Sequence, residues 1–135
     1  MVMTRLKILG GDIMKVITKE PGKAPEIREL PCEEMRDFIG GCMETVPFKN
    51  YLIVCNDSFM LNDMQYNITL GDGDGTMFCG NIFICKIEEL PSHERDFGGL
   101  DDYEAQLILD SVTRVYEFEK VLHELQTQGF CVHSS

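Results

Sequence analysis

The chain has 135 residues and a formal net charge of −11, with 44% hydrophobic and 26% charged residues. This length suits one domain, and the composition is too hydrophobic for a disordered chain. The negative charge argues against direct nucleic-acid binding, which relies on clustered Lys and Arg. No apolar run approaches the roughly 20 residues of a membrane span, and the N-terminus lacks the features of a secretion signal. We therefore expect a cytoplasmic protein with no membrane segment.

Residues 1–13 precede a second candidate start, Met14. The run Gly10-Gly-Asp-Ile13 can be encoded by a purine-rich ribosome-binding site at a normal distance from a start codon. We expect residues 1–13 to be a translated leader, with a flexible tail as the alternative. Residues 14–135 are predicted to form a single α+β domain, with a β-rich core over 14–87, a linker over 88–100 and a helix over 101–129.

The β-rich core begins with a predicted hairpin. Residues 15–19 are rich in β-branched side chains, the Pro21-Gly22 pair favours a turn, and residues 26–30 form the returning strand. A short helix is predicted over 31–39, because Pro31 suits a first helical turn and Gly40 ends the pattern. Residues 42–46, 51–55 and 76–86 read as further strands of a small mixed or antiparallel sheet of about five strands. Residues 59–75 read as a loop with room for one short strand.

A long C-terminal helix is predicted over about 102–128. Asp101 and Glu104 have the spacing of a capping box, and Gly129 is a stop signal. Its core-facing side is predicted to carry residues at three- and four-residue spacing, namely Ile108, Val112, Val115, Phe118, Leu122 and Leu125. Four further apolar residues widen this surface: Leu107, Leu109, Tyr116 and Val121. A homo-oligomer that forms through the helix is therefore the alternative to complete burial of these residues.

Known metal patterns do not fit the chain. The run Gly71-Asp-Gly-Asp-Gly75 alternates oxygen donors as calcium loops do, but an EF-hand would need Gly and Glu where Met77 and Phe83 stand. We expect a hairpin loop there. The six cysteines lack the paired short spacing of zinc sites and lie mostly in strand-like runs, which favours buried thiols. We predict no metal and no cofactor.

Catalytic patterns are also missing from the sequence. The three histidines are scattered over a loop, a helix and the tail, and the best-placed thiol, Cys55, ends a predicted core strand. We therefore predict no catalytic residues and a protein that is not an enzyme.

Four short blocks of the sequence resemble the family called domain of unknown function 3846, over residues 14–87. They are residues 15–23, 40–47, 52–57 and 78–85. The resemblance implies a protein of phages or other mobile elements, where such domains often lie beside antirestriction genes. It implies a host or phage protein as the partner, because small acidic mobile-element proteins are frequently inhibitors of host nucleic-acid-binding or defence proteins.

The acidic charge is concentrated at the C-terminal end, where residues 87–135 contain 11 acidic and 3 basic side chains. A carboxylate-rich surface of this kind can bind a basic channel of another protein. The predicted protein-binding residues are Glu88, Glu89, Glu94, Asp96, Asp101, Asp102 and Glu104.

The alternative hypothesis is a small-ligand or nucleotide-binding oligomer built from loops 56–75 at a subunit interface. It requires the basic side chains of the β-rich core to converge on a phosphate. Those side chains are Lys15, Lys19, Lys23, Arg28, Arg36 and Lys49.

Overall fold

The computed structural model describes residues 13–58, 63–71, 75–89 and 95–129. It begins with β1 (Ile13–Lys19) and β2 (Glu26–Pro31), which pair as an antiparallel hairpin. Gly22 adopts a φ of 77° in the turn. The predicted hairpin is therefore confirmed. The predicted leader lies outside the described residues, apart from Ile13 at the start of β1.

The short helical segment consists of a 3-10 turn (Cys32–Glu34) and α1 (Met35–Ile39), close to the predicted 31–39. Met35 and Ile39 are buried on one face of it. The helix ends at Gly40, which takes a left-handed φ of 91° and donates its amide hydrogen to the carbonyl of Arg36 at 2.8 Å. A residue without a side chain adopts this conformation at no steric cost.

The described residues form six further strands: β3 (Met43–Phe48), β4 (Tyr51–Asn56), β5 (Tyr66–Leu70), β6 (Thr76–Cys79), β7 (Ile82–Glu89) and β8 (Arg95–Gly98). The main sheet has the order β2-β1-β7-β4-β3, with β8 added against β7, and β5 and β6 form a separate two-stranded sheet. All neighbouring strands in the described residues are antiparallel. The predicted α+β class is confirmed, with six strands rather than about five in the main sheet.

The predicted strand 76–86 is two strands, because the chain turns at Gly80. Gly80 has a φ of 77°, and a Cβ atom there would lie 2.7 Å from the sulfur of Met64. Glycine suits this positive φ, and any larger residue would also have to displace the end of the Met64 side chain. The turn sends β6 into a hairpin with β5 and leaves β7 at the centre of the main sheet.

The segment predicted as a linker, 88–100, contains a strand. β7 continues to Glu89, and β8 returns beside it with Ile87 opposite Phe97. Phe97 is buried, and its ring meets that of Phe83 edge-on at 6.3 Å between centroids. One buried aromatic residue in a polar stretch gave too weak a pattern to predict this strand from the sequence.

The last described element, α2 (Asp102–Thr127), lies on one face of the main sheet together with the β5–β6 hairpin. Side chains alternate between the two faces along each strand. Ile17 and Ile84 belong to the core beneath α2, whereas their neighbours Val16 and Phe83 belong to the core beside α1. The sheet therefore separates two apolar layers.

The buried side of α2 is formed by Ala105, Ile108 and Val112 in its first half. Phe118, predicted to face the core, is 62% exposed. The predicted apolar positions follow one another at less than 3.6 residues on average. Their direction therefore rotates around the helix by about 100° between Ile108 and Leu125. This rotation carries the later members of the pattern away from the sheet.

Candidate functional site

The side of α2 that points away from the sheet carries four large apolar residues. Tyr103 is 76%, Leu107 49%, Phe118 62% and Val121 53% exposed. The intervals between them are close to whole helical turns, so the four side chains lie along one line on the helix surface. We call these four residues the apolar stripe.

Three exposed carboxylates border the apolar stripe on one side: Asp110, Glu117 and Glu124. They are seven residues apart, which corresponds to about 10.5 Å along the helix. We call them the acidic flank. The nearby Lys120 points its ammonium group toward the ring of Tyr116, 5.7 Å from its centroid. Arg114 is exposed within the line of the stripe. Apolar and acidic groups thus share one surface of the helix.

The C-terminal half of α2 is attached to the β5–β6 hairpin by Glu119. Both oxygens of its carboxylate accept from the hydroxyl of Tyr66, at 3.0 and 2.9 Å, and one accepts from the backbone amide of Thr69 at 3.3 Å. Burial raises the pKa of Tyr66, which keeps its hydroxyl protonated as a donor. This contact holds the inner side of the helix and leaves the apolar stripe pointing outward.

The N-terminus of α2 is fixed by the predicted capping box. The Asp101 carboxylate accepts from the amide of Glu104 at 2.7 Å, and Glu104 accepts from the amide of Asp101 at 3.0 Å. Glu104 also accepts from the ammonium of Lys86 at 2.9 Å and from the hydroxyl of Tyr51 at 3.4 Å. The amide of Asp101, followed by Lys86, lowers the pKa of Glu104. Glu104 thus links the cap to the sheet.

Asp102, the first residue of α2, forms an ion pair with Lys15 of β1. The Lys15 ammonium holds the pKa of the Asp102 carboxyl below its ordinary value, and the same hydrogen bond raises the pKa of Lys15. The two residues are 87 positions apart in the chain. Like Glu104, Asp102 therefore has an internal cation as its partner.

The structure brings together three of the seven predicted acidic residues, Asp101, Asp102 and Glu104, at the start of α2. Glu88 and Asp96 lie opposite one another in the β7–β8 ladder, with Glu89 opposite Arg95 as the next pair. The side chain of Glu88 leans over Gly98, where a Cβ atom would lie 2.9 Å from its carboxylate oxygen. The remaining residue, Glu94, lies outside the described residues.

The basic side chains of the alternative hypothesis are distributed over separate contacts. Lys23 and Arg28 both pair with Glu20, at 3.6 and 3.2 Å. Lys15 pairs with Asp102, and Lys19 is 1% exposed. At least four of the six cations are thus engaged with groups of the chain itself, an arrangement that does not favour phosphate binding.

Sequence reasoning missed the buried polar network around Lys19. Its ammonium donates to the side-chain oxygen of Asn67 and to the carbonyl of Glu20, both at 2.9 Å, and lies 4.9 Å from the centroid of the Tyr116 ring. The amide of Asn67 donates to the carbonyls of Lys19 and Gly80, each at 2.7 Å. Burial lowers the pKa of Lys19. These bonds join the β5–β6 hairpin to the main sheet, so the network around Lys19 has a structural role.

An open groove of about 350 Å³ lies between α1, Pro21 and Gly80. Two asparagine side chains near it are occupied: Asn81 donates to the carbonyl of Phe38 at 2.9 Å, and Asn56 donates to that of Ile39 at 3.4 Å. They satisfy carbonyls at the end of α1, which has no further helical turn to do so. The polar groups of the groove thus hold loops together, and the groove is a weaker candidate than the surface of α2.

Cys55, the best-placed thiol in the sequence, is buried in the core beneath α2. Burial, with the nearby carboxylates of Glu44 and Asp57, raises its pKa to about 11. A thiol with that pKa is protonated at neutral pH, and the thiolate is the nucleophilic form. This environment suits a core residue.

Within the residues that the structure describes, no group of three or more His, Cys, Asp or Glu side chains is arranged to hold a metal ion. None of the described helices is long and apolar enough to cross a membrane.

The fold and its surface define a small α+β domain with an exposed apolar and acidic helix face. A sequence model of the domain of unknown function 3846 matches residues 14–113, and the chain belongs to this family. The match ends within α2, so it includes Tyr103 and Leu107 but not Phe118 and Val121. Searches of curated proteins and of solved structures found no match.

Proposed function

We propose that this protein is a non-enzymatic binding protein that docks the outward side of α2 on another protein. The observation that carries the proposal is the apolar stripe, whose four large side chains are about half or more exposed on a helix whose first half is buried against its own sheet. Exposed apolar residues grouped on one helix face are typical of helix-in-groove recognition.

The energetics indicate what the partner must supply. Fully burying a Leu, Phe or Val side chain contributes about 1.5–3 kcal/mol. Since these side chains are already partly covered, burying the rest of all four would contribute about 4 kcal/mol. Association costs about 4–15 kcal/mol in lost freedom of motion. The stripe alone is therefore too weak, and the partner must also pair with Asp110, Glu117 and Glu124. The proposed partner has an apolar groove bordered by Lys or Arg.

The proposed setting is the cytoplasm of a host cell, with the chain acting as a phage or mobile-element inhibitor of a defence or other nucleic-acid-binding protein. Such partners have basic surfaces that an acidic protein can cover. The wide spacing of the carboxylates in the acidic flank favours contacts with individual basic residues of the partner. Three carboxylates spaced about 10.5 Å apart are far sparser than duplex DNA, which carries one charge per about 1.7 Å of its axis.

A second copy of the chain is the competing partner for this surface. A two-fold axis brings the same side of both helices together. In an antiparallel pair of helices the two acidic flanks would then face each other, and in either orientation each copy carries a net charge of −11. The repulsion disfavours self-association at low salt, where charges are least screened. Self-association would therefore strengthen with added salt, whereas binding to a basic partner would weaken.

The test compares affinity capture from host cells by three forms of the protein. They are the wild type, a Phe118→Ser/Val121→Ser variant, and an Ile27→Ser control that alters an exposed apolar residue on β2. We expect the wild type and control to retain a protein that the double variant loses, with less retained as salt increases. Equal retention by all three forms, or retention that increases with salt, would contradict the proposal.

A further inference from the structure

β3 is an edge strand of the main sheet. It pairs with β4 on one side, and within the described residues no strand pairs with its other side. The amide of Asp57 donates to the carbonyl of Cys42 at 3.0 Å, so the even-numbered residues of this segment form the hydrogen bonds to β4. Backbone groups alternate in direction along a strand. The N–H and C=O groups of Met43 and Thr45 therefore point away from the sheet.

The position of Pro47 agrees with this assignment. Pro47 has no N–H group, and it lies two residues beyond Thr45, with its nitrogen on the outward side. Proline is found in sheets at edge positions where no ladder hydrogen bond is needed. The unpaired part of the edge is thus short, with the two outward amides at Met43 and Thr45.

An open hollow of about 480 Å³ lies along the same stretch and is lined by Met43, Glu44, Thr45 and Asp57. Glu44 is paired with Cys55 across the ladder, and Asp57, the first residue past β4, lines the hollow together with Glu44. Both also act on the Cys55 thiol, where they help to raise its pKa. The hollow therefore presents two negative charges beside backbone donors and acceptors that no strand of the described residues pairs.

We infer that the edge of β3 at residues 43–45 binds an extended, basic peptide segment of another protein as an added strand. Met43 and Thr45 supply two backbone donors and two acceptors in the alternating pattern of an antiparallel ladder. A Lys or Arg side chain of the added strand lies between Glu44 and Asp57. Backbone bonds give the affinity, and the carboxylates select the charge.

A second copy of β3 does not fit this edge. If Met43 met Thr45 of the other copy, the two Glu44 side chains would lie directly opposite, with Cβ atoms about 5 Å apart, which is destabilising. If the two Thr45 residues met instead, Pro47 would stand opposite Met43 and could not donate to its carbonyl. These two registers thus disfavour a second copy, whereas a strand of opposite charge meets neither obstacle.

The experiment selects binders from a library of short random peptides displayed on phage, using the intact protein as target. Peptides that are enriched are synthesised with a fluorescent label, and their affinities are measured by fluorescence polarisation. Thr45→Pro removes one outward donor without touching the β4 ladder, Thr45→Val keeps it, and Glu44→Lys reverses the charge. Circular dichroism checks that each variant folds, and the Phe118→Ser/Val121→Ser variant tests the surface of α2.

We expect enriched peptides to lack proline and to carry Lys or Arg. Thr45→Pro should weaken their binding about tenfold, because losing one strand hydrogen bond and leaving its partner unsatisfied costs about 1.4 kcal/mol. Thr45→Val should leave the affinity for these peptides unchanged. Glu44→Lys should weaken binding, and replacing the peptide's Lys with Glu should restore it. Failure to enrich any peptide, enrichment of acidic peptides, or equal binding to Thr45→Pro would overturn the inference. Binding lost only in the Phe118→Ser/Val121→Ser variant would also overturn it and would favour the surface of α2.

Discussion

The hydroxyl of Tyr66 on β5 donates to the carboxylate of Glu119 on α2, whose two oxygens lie 3.0 and 2.9 Å from it. Past Val112 the described part of α2 has no fully buried residue. This polar contact therefore holds the second half of the helix in place, whereas apolar burial holds the first half. It fixes the direction in which Phe118 and Val121 point.

Replacing this tyrosine tests the contact. Tyr66→Phe should lower the free energy of unfolding by about 1 kcal/mol, the usual worth of one hydrogen bond, or somewhat more because its acceptor is charged. Amide hydrogen exchange should speed up in residues 114–127 more than in residues 102–112. The control is Tyr103→Phe, since Tyr103 is 76% exposed. Equal effects of the two substitutions would show that the contact does not hold the helix.

Asn67 is expected to be one of the most sensitive polar positions in the chain. Asn67→Ala removes three hydrogen bonds and leaves the ammonium of Lys19 without its side-chain acceptor in a buried place. We expect a loss of about 3 kcal/mol or more in chemical denaturation. Asn50→Ala, at an exposed turn, should change stability by less than about 0.5 kcal/mol. A loss at Asn67 no larger than that at Asn50 would contradict the network.

The cap of α2 should make stability depend on acidic pH. The pKa of Glu104 is lowered in the folded chain from its ordinary value of 4.5. The contribution of the Glu104 carboxylate to the free energy of unfolding is therefore complete above pH 4.5, and it is lost as the pH falls through the lower pKa of the folded chain. Glu104→Gln should be less stable than the wild type at neutral pH by about 1 kcal/mol, and the difference should shrink in acid. If the difference in stability between the two proteins stays constant down to the lowest pH at which they fold, Glu104 is not the source of the pH dependence.

Cys55 should make stability depend on alkaline pH. Its folded pKa of about 11 lies above the ordinary value of 9.0, so the folded chain keeps a proton that the unfolded chain releases. The contribution is complete below pH 9.0 and falls as the pH rises toward about 11, by about 3 kcal/mol over this window. Cys55→Ala should be less stable at neutral pH but should show a shallower alkaline decline in denaturation midpoints. Parallel declines would indicate that other groups cause the loss.

The sequence predicted the elements that depend on neighbouring residues. The β1–β2 hairpin follows from Pro21-Gly22, the end of α1 from Gly40, and the start of α2 from Asp101 and Glu104. Each of these signals acts within a few residues, so one sequence is enough to detect it. β8 was missed because its reason to form is the packing of Phe97 on Phe83, a contact between segments that are distant in the chain.

The candidate site was predicted only in part. The density of acidic residues predicted a binding surface at the start of α2. In the structure, however, Asp102 pairs with Lys15 and Glu104 pairs with Lys86. These cations lie 87 and 18 residues away in the chain, so the sequence alone could not assign them. The exposed stripe was anticipated through Leu107 and Val121. Phe118 was assigned to the wrong side, because the angular rotation of the pattern matters over a helix of 26 residues.

Site-specific photo-crosslinking in host cells tests the central claim most directly. A photoreactive amino acid is placed at position 118 on the apolar stripe and, in a matched control, at position 27 on β2. The account predicts that a host protein is crosslinked at position 118 and not at position 27, and that Asp110→Lys/Glu117→Lys reduces the yield. Equal crosslinking at both positions, or crosslinks only to a second copy of the chain, would contradict it.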